Sequence, residues 1–237
     1  MKHISLIQLL AVGALIVVVN SVVCAQSGST PNGADSGGNK LVYADFQNPL
    51  NGRPVSANGG KTTLNRYAQN MGAAPKMRGL ENADPPSPAF ARVTDVDTAA
   101  AFEYEMKMPN EWAGVNMEIF GHPEKDGKLV PDDISAYKFM EVRIFAKGAQ
   151  SVRVELITRG QGYDLDGGYP FATIRLTPGF NTYKFKLDSF IQPEWATMLD
   201  FKRDVLKKLT SVTIGVTCEK CRFESGTVVV DNVVFEK

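Results

Sequence analysis

Through most of the second half of the chain, apolar and polar residues alternate one for one. Phe102, Tyr104, Met106 and Met108 are interleaved with Glu103, Glu105 and Lys107, and Val115, Met117 and Ile119 with Asn116 and Glu118. The period returns as Met140, Val142 and Ile144 around Glu141 and Arg143, and as Val152, Val154 and Leu156 around Arg153 and Glu155. Tyr183, Phe185 and Leu187 enclose Lys184 and Lys186 in the same way, after a turn predicted at Pro178 and Gly179. A period of two sends successive side chains to opposite faces of an extended strand, so each run predicts a strand with one buried and one wet face. Residues 172–176 add a further strand, while 211–217 and 227–235 are nearly continuous in β-branched residues. Earlier, 48–88 is rich in Gly, Pro and Asn and reads as loop, with short edge strands expected at 62–67 and 90–93. Only 200–209, with Phe201, Val205 and Leu209 at helical spacing, reads as a helix.

Many short strands punctuated by turns, with no crossover helices between them, predict an all-β fold. The expectation is an antiparallel β-sandwich or barrel forming one domain over residues 41–237. A hydrophobic content of 43% is enough to fill its core.

The first residues carry a different pattern. Lys2 and His3 precede an apolar run over 4–19, and Val23-Cys24-Ala25 offers small residues for cleavage before Gln26, so 1–25 reads as a signal peptide. The run is shorter than the about 20 residues a spanning helix needs, so no membrane association is expected beyond the signal peptide. Lipidation at Cys24 is the exception to that, although Val23 is bulkier than the small residue such processing prefers. The expected location is secreted or periplasmic. Residues 26–40 are Gly, Ser, Asn and Pro with almost nothing to bury, and read as a flexible linker.

Charge and cysteines narrow the chemistry. Lys plus Arg and Asp plus Glu both total 26, so no bulk field draws the protein to nucleic acid, and no nucleic-acid partner is expected. Once the signal is removed, Cys218 and Cys221 are the remaining thiols, and in an oxidising compartment they read as a disulfide stapling a loop. Zinc would need four ligands, and His122 is the one histidine beyond the signal. A redox motif would open a helix, whereas this pair follows a strand.

The polar face of the strands supplies the candidate site. Asn116, Glu118, Glu141, Arg143, Arg153, Glu155 and Arg159 would form one mixed-charge surface if their strands are neighbours. It reads either as a solvated sheet laced with ion pairs or as a polar groove extended by the rim residues 159–164. Sugars suit such a groove, because aromatic faces stack on the C–H side of a pyranose while amides, carboxylates and guanidinium groups bond its hydroxyls.

The order Phe139-x-Glu-x-Arg-Ile, Ser151-Val-Arg-Val-Glu-Leu, Tyr163 and Tyr169, Leu176 to Tyr183, Phe190-x-Gln-Pro-x-Trp195 and Gly226 to Phe235 resembles the galactose-binding-like jelly rolls. Within them it is similar to carbohydrate-binding modules of bacterial glucanases and to the complex I intermediate-associated protein family. The resemblance implies ligand contacts at Arg143, Arg153, Arg159, Tyr163, Tyr169 and Trp195. It also implies a structural Ca2+ at Asp45 and Asp231, where the first strand meets the last. Trp195 reads equally as a stacking ring or as a packed cover over the sandwich edge, and Asp231 equally as a cap bonding backbone amides.

The function expected is an exported, non-catalytic carbohydrate-binding protein with a polysaccharide or glycan as its partner. The alternative is a protein-binding assembly module of the complex I intermediate-associated type. A jelly-roll glycosidase or lyase is the second alternative. Glu118, Glu141 and Glu155 could supply a glycosidase pair, but carboxylates flanked by Arg143 and Arg153 are expected to be depressed in pKa, which suits ion pairing better than acid catalysis. His122 has no partner that would make it a lyase base. The protein is therefore expected not to be an enzyme.

Overall fold

The computed structural model describes residues 38–48, 51–56, 60–68, 75–84, 86–94, 97–118, 124–125, 128–159, 168–218 and 223–237. The signal peptide, Cys24 and residues 26–37 of the linker lie outside them. So do His122, Tyr163 and Cys221.

The described residues form two antiparallel sheets packed face to face, as the period-two pattern requires. In chain order the strands are β1 (Lys40–Ala44), β2 (Thr62–Tyr67), β3 (Lys76–Arg78), β4 (Ala89–Arg92), β5 (Thr98–Met106), β6 (Glu111–Met117), β7 (Glu124–Lys125) and β8 (Lys128–Leu129). Then come β9 (Phe139–Lys147), β10 (Ser151–Ile157), β11 (Phe171–Arg175), β12 (Asn181–Lys186), β13 (Ser211–Cys218) and β14 (Glu224–Glu236). One sheet runs β12-β9-β14-β5-β3, with β1 also paired to β14 and β4 to β5; the other runs β11-β10-β13-β6-β2, and β7 pairs with β8. The edge strands expected at 62–67 and 90–93 are β2 and β4. The helix expected at 200–209 is a single wide turn, Phe201–Leu206, capped where Asp200 accepts from the Arg203 amide.

The core lies where the two inner faces meet. Met140, Val142, Ile144, Phe102, Val230, Val233 and Phe235 come from the larger sheet, and Val115, Met117, Val154, Leu156, Val212 and Ile214 from the smaller, all buried. Tyr43 ties the sheets: its ring meets Phe235 edge-on at 5.5 Å, and its hydroxyl donates to the Met117 carbonyl at 2.9 Å. Burying such a ring stabilises by about 1.5–3 kcal/mol, while leaving its hydroxyl unbonded would cost a similar amount. Tyr183 and Phe185 pack against this core from β12.

One correction to the sequence reading follows from the sheet order. Consecutive strands β9 and β10 alternate alike but belong to opposite sheets, so Glu141 and Arg143 face away from one side of the sandwich and Arg153 and Glu155 from the other. The single mixed-charge surface does not form.

Candidate functional site

The outer face of the five-stranded sheet carries the site. Along β10, Val152, Val154 and Leu156 enter the core, which leaves Arg153, Glu155 and Ile157 pointing the other way, toward an open cleft of about 680 Å3. That volume is within the range of small-molecule and oligosaccharide sites. Its lining comes from several strands in register: Arg153 lies beside Gly215 and Gly114, and Glu155 beside Thr213 and Asn116.

One end is aromatic because of Trp112. Its neighbours across the ladder are Tyr67 on β2 and Thr217 on β13. The indole leans over two glycines: a Cβ on Gly215 would fall 2.6 Å from ring atoms, and one on Gly114 would fall 2.8 Å from Cζ2. Only the absence of side chains there lets the ring lie against the sheet. Its Nε1 is buried against that floor without a partner, and the ring lines the cleft. Tyr67, on the edge strand, is 57% exposed.

The middle of the cleft is a charged stack. The Arg153 guanidinium carbon sits 3.6 Å from the centroid of Phe171, a cation–π contact, and Arg153 Nε is 2.8 Å from Glu155 Oε1. At that distance the pair is a close ion contact, although the Nε–H points off the line to the carboxylate and forms no hydrogen bond. Burial pushes the Glu155 carboxyl above its ordinary pKa, against the opposing pull of Arg153. This corrects the expectation of a depressed value: the loss of water outweighs the neighbouring cation.

The far end is built from loops. Tyr169 leads into β11, and Arg159 follows β10. Trp195 comes from the segment 190–199, which the Gln192 side chain closes. That amide accepts from the Leu199 N–H at 3.0 Å, and donates to the Thr197 carbonyl at 2.6 Å and to the Gly168 carbonyl at 3.1 Å. One side chain therefore joins the Trp195 loop to the segment carrying Tyr169. Trp195 is 67% exposed and lines the cleft, so it is not a packed cover over the sandwich edge. Trp112 stands opposite Thr217 and Ile157 opposite Ser211, six residues apart along β13, so the floor of the cleft spans ~20 Å from the level of Trp112 to that of Ile157.

Of the residues expected at the site, Arg153, Arg159, Tyr169 and Trp195 line this cleft together. Tyr163 falls outside the described residues, and Arg143 is on the opposite sheet. Sequence reading missed Trp112. The available signal was parity, since Trp112 shares the outward register of Gly114 and Asn116 while Ala113, Val115 and Met117 fill the core. Cys218 is disulfide-bonded and buried, and the chain's other cysteines, Cys24 and Cys221, lie outside the described residues. Glu118 is not among the residues that line the cleft, and Glu141 is on the other sheet, so neither joins Glu155 there as a facing pair. Glu111, at the cleft edge, spends one carboxylate oxygen on the amides of Lys107 and Met108, at 2.6 and 3.2 Å.

At the positions matched to calcium, Asp231 Oδ2 and the Asp45 carbonyl already have donors, whereas Asp231 Oδ1 is buried without a hydrogen-bond partner. A bulge in β14 sets Asp231 and Asn232 against Arg143 on β9, since Val230 pairs with Ile144 and Val233 with Val142. Arg143 Nη1 donates to Asp231 Oδ2 at 2.5 Å and to Asp97 Oδ2 at 3.0 Å. Gln47 Nε2 lies 2.8, 3.0 and 3.1 Å from the Asp45 carbonyl, Asp97 Oδ1 and the Thr98 carbonyl. Among the described residues, no group of three or more His, Cys, Asp or Glu is arranged to hold a metal ion. The donor set as it stands does not fit Ca2+.

No family model matches the chain, and no curated protein matches it. Solved structures do. A family 11 carbohydrate-binding module from Clostridium thermocellum, in complex with a β-1,3-1,4-mixed-linked tetrasaccharide, superposes with a TM-score of 0.53 at 14% identity, covering 85% of this chain and 97% of that one. A family 30 carbohydrate-binding module gives 0.53 at 10% identity, over 84% and 99%. The fold of this chain is the jelly-roll β-sandwich that those modules share.

Proposed function

We propose that this is an exported, non-catalytic carbohydrate-binding protein that holds a glycan chain along the outer face of its five-stranded sheet. The observation that carries the reading is the set of rings, Trp112 with Tyr67 on the strands and Tyr169 with Trp195 on the loops, that line one polar cleft whose floor spans ~20 Å from Trp112 to Ile157. Rings along such a cleft can stack on separate sugars of one chain, while Arg153, Glu155 and Thr213 meet hydroxyls between them. The likeness to a module solved with a mixed-linked tetrasaccharide supports the same ligand class here. Glu155 serves as an acceptor for sugar hydroxyls, while Glu111, the other carboxylate lining the cleft, accepts from the amides of Lys107 and Met108.

Isothermal calorimetry or affinity electrophoresis against β-glucans, xylans and mannans tests the proposal. At least one polymer should bind, and Trp112→Ala and Trp195→Ala should each weaken it by about fivefold or more, since an aromatic contact carries about 0.5–1.5 kcal/mol beyond its buried area. Silence across the whole panel would sink the reading. Mass spectrometry of the exported protein should give a start at Gln26, and a lipid on Cys24 would replace secretion with anchoring.

A second reading, a protein-binding assembly module, is favoured by Ile191, Trp195 and Met198, three exposed apolar side chains on one segment. Capture of one defined partner, abolished by Met198→Glu while glycan binding is absent, would select it.

A further inference from the structure

We propose that the Arg143 guanidinium, seated with the Gln47 amide among Asp231, Asp97 and the carbonyls of Asp45 and Thr98, is the fold's own cation and takes the place of a bound divalent metal. The proposal is independent of what the cleft binds.

The locus demands positive charge. Asp231 is 0% exposed, and its Oδ1 has no hydrogen-bond partner, so its charge is stranded away from water unless a cation faces it. The oxygens gathered there, two side-chain carboxylates and two backbone carbonyls, are of the kind a hard cation collects. Each carboxylate already meets an N–H: Arg143 Nη1 bridges Asp231 and Asp97, and Gln47 Nε2 spans the other Asp97 oxygen and both carbonyls.

Three features make the arrangement built. The β14 bulge places two residues opposite Arg143 and so turns Asp231 toward it. The ring of Phe180, 5.0 Å from the guanidinium carbon, backs Arg143 on its other side. Between Asp45 and Gln47, Phe46 adopts φ of 56°, a conformation rare for a side chain of that size, and its carbonyl is held by Thr98 Oγ1 at 2.7 Å. A metal ion would have to displace both donors and share the pocket with a fixed positive charge.

The test is thermal unfolding of the full chain, with excess EDTA and with excess CaCl2, for the natural protein, Arg143→Met and Arg143→Lys, together with calorimetric titration by CaCl2. The natural protein should unfold at the same temperature in both solutions and bind no Ca2+. Arg143→Met leaves Asp231 buried without its partner and should lower Tm in EDTA by about 6 °C or more. It should recover part of that loss in CaCl2, and Asp231→Asn in the same background should remove the recovery. Arg143→Lys should fall between and show little calcium response. A Tm of the natural protein that falls in EDTA, or Ca2+ binding to it, would overturn the proposal. So would an Arg143→Met protein indifferent to calcium. If Arg143→Met does not fold, the natural protein and Arg143→Lys still decide.

Discussion

Trp112 shows what a single side chain requires of its neighbours. Its ring lies flat because Gly114 and Gly215 present no Cβ beneath it, so the floor matters as much as the ring. Gly215→Ala should cost about 1–3 kcal/mol, because the strand cannot retreat and the indole must tilt away. Glycan affinity should fall with it, whereas Trp112→Ala should lose affinity with a smaller change in Tm; unfolding curves and calorimetry on both variants separate the two. Glu155 gives a pH prediction. Its folded pKa is raised, so between its ordinary value and the raised one the folded state holds more proton than the unfolded chain, and stability declines as pH rises through that window. Glu155→Gln should reduce that slope, leaving the part that Asp231, also raised by burial, contributes; an unchanged slope in urea midpoints from mildly acidic to neutral pH would reject the assignment. Tyr169 and Trp195 were legible as ligand contacts through the family resemblance, whereas Trp112 was hidden because it precedes Val115, where the recognised alternation begins, although β6 starts at Glu111.

At the scale of elements, alternation revealed β5, β6, β9, β10 and β12 and which side of each is buried, and β-branched content revealed β13 and β14, while the short strands β1, β3, β7 and β8 went unread. Alternation carried no information on which sheet a strand joins. Both β9 and β10 have one apolar face, and both satisfy it against the same core from opposite sides, so Arg143 and Arg153 looked like neighbours and are not. The partition is decided by pairing partners distant in sequence, such as β14 for β9 and β13 for β10, which a local pattern does not encode. The Trp195 segment depends in the same way on a distant bond, from Gln192 to Gly168. Gln192→Ala leaves the Leu199 amide and two carbonyls without it, so the segment should loosen. Affinity should drop about three- to tenfold, and Tm should fall by no more than about 6–12 °C, since three lost bonds at about 1 kcal/mol each total about 3 kcal/mol. A full loss of folding would show that the segment is part of the core instead.

Taken whole, the molecule is two sheets around one core, and its functional groups sit on two opposite exteriors. One exterior has an aromatic cleft; the other has a charged cluster where β9, β14 and the segment after β1 meet. Its balanced charge predicts that glycan affinity changes little with added salt, because no net field steers the ligand. Affinity measured across a range of NaCl concentrations checks this, and a steep loss with salt would point to an anionic polymer held by Arg153 and Arg159.

β14 lies within the larger sheet, bonded to β9 along one edge and to β5 and β1 along the other. Without it, those three strands have no common partner and the sheet cannot close. Deleting 233–237 should accordingly leave no folded fraction, where removal of a peripheral strand would leave a weakened domain. Limited proteolysis of the shortened chain, with uniform rapid cleavage as the expected result, reads the difference directly.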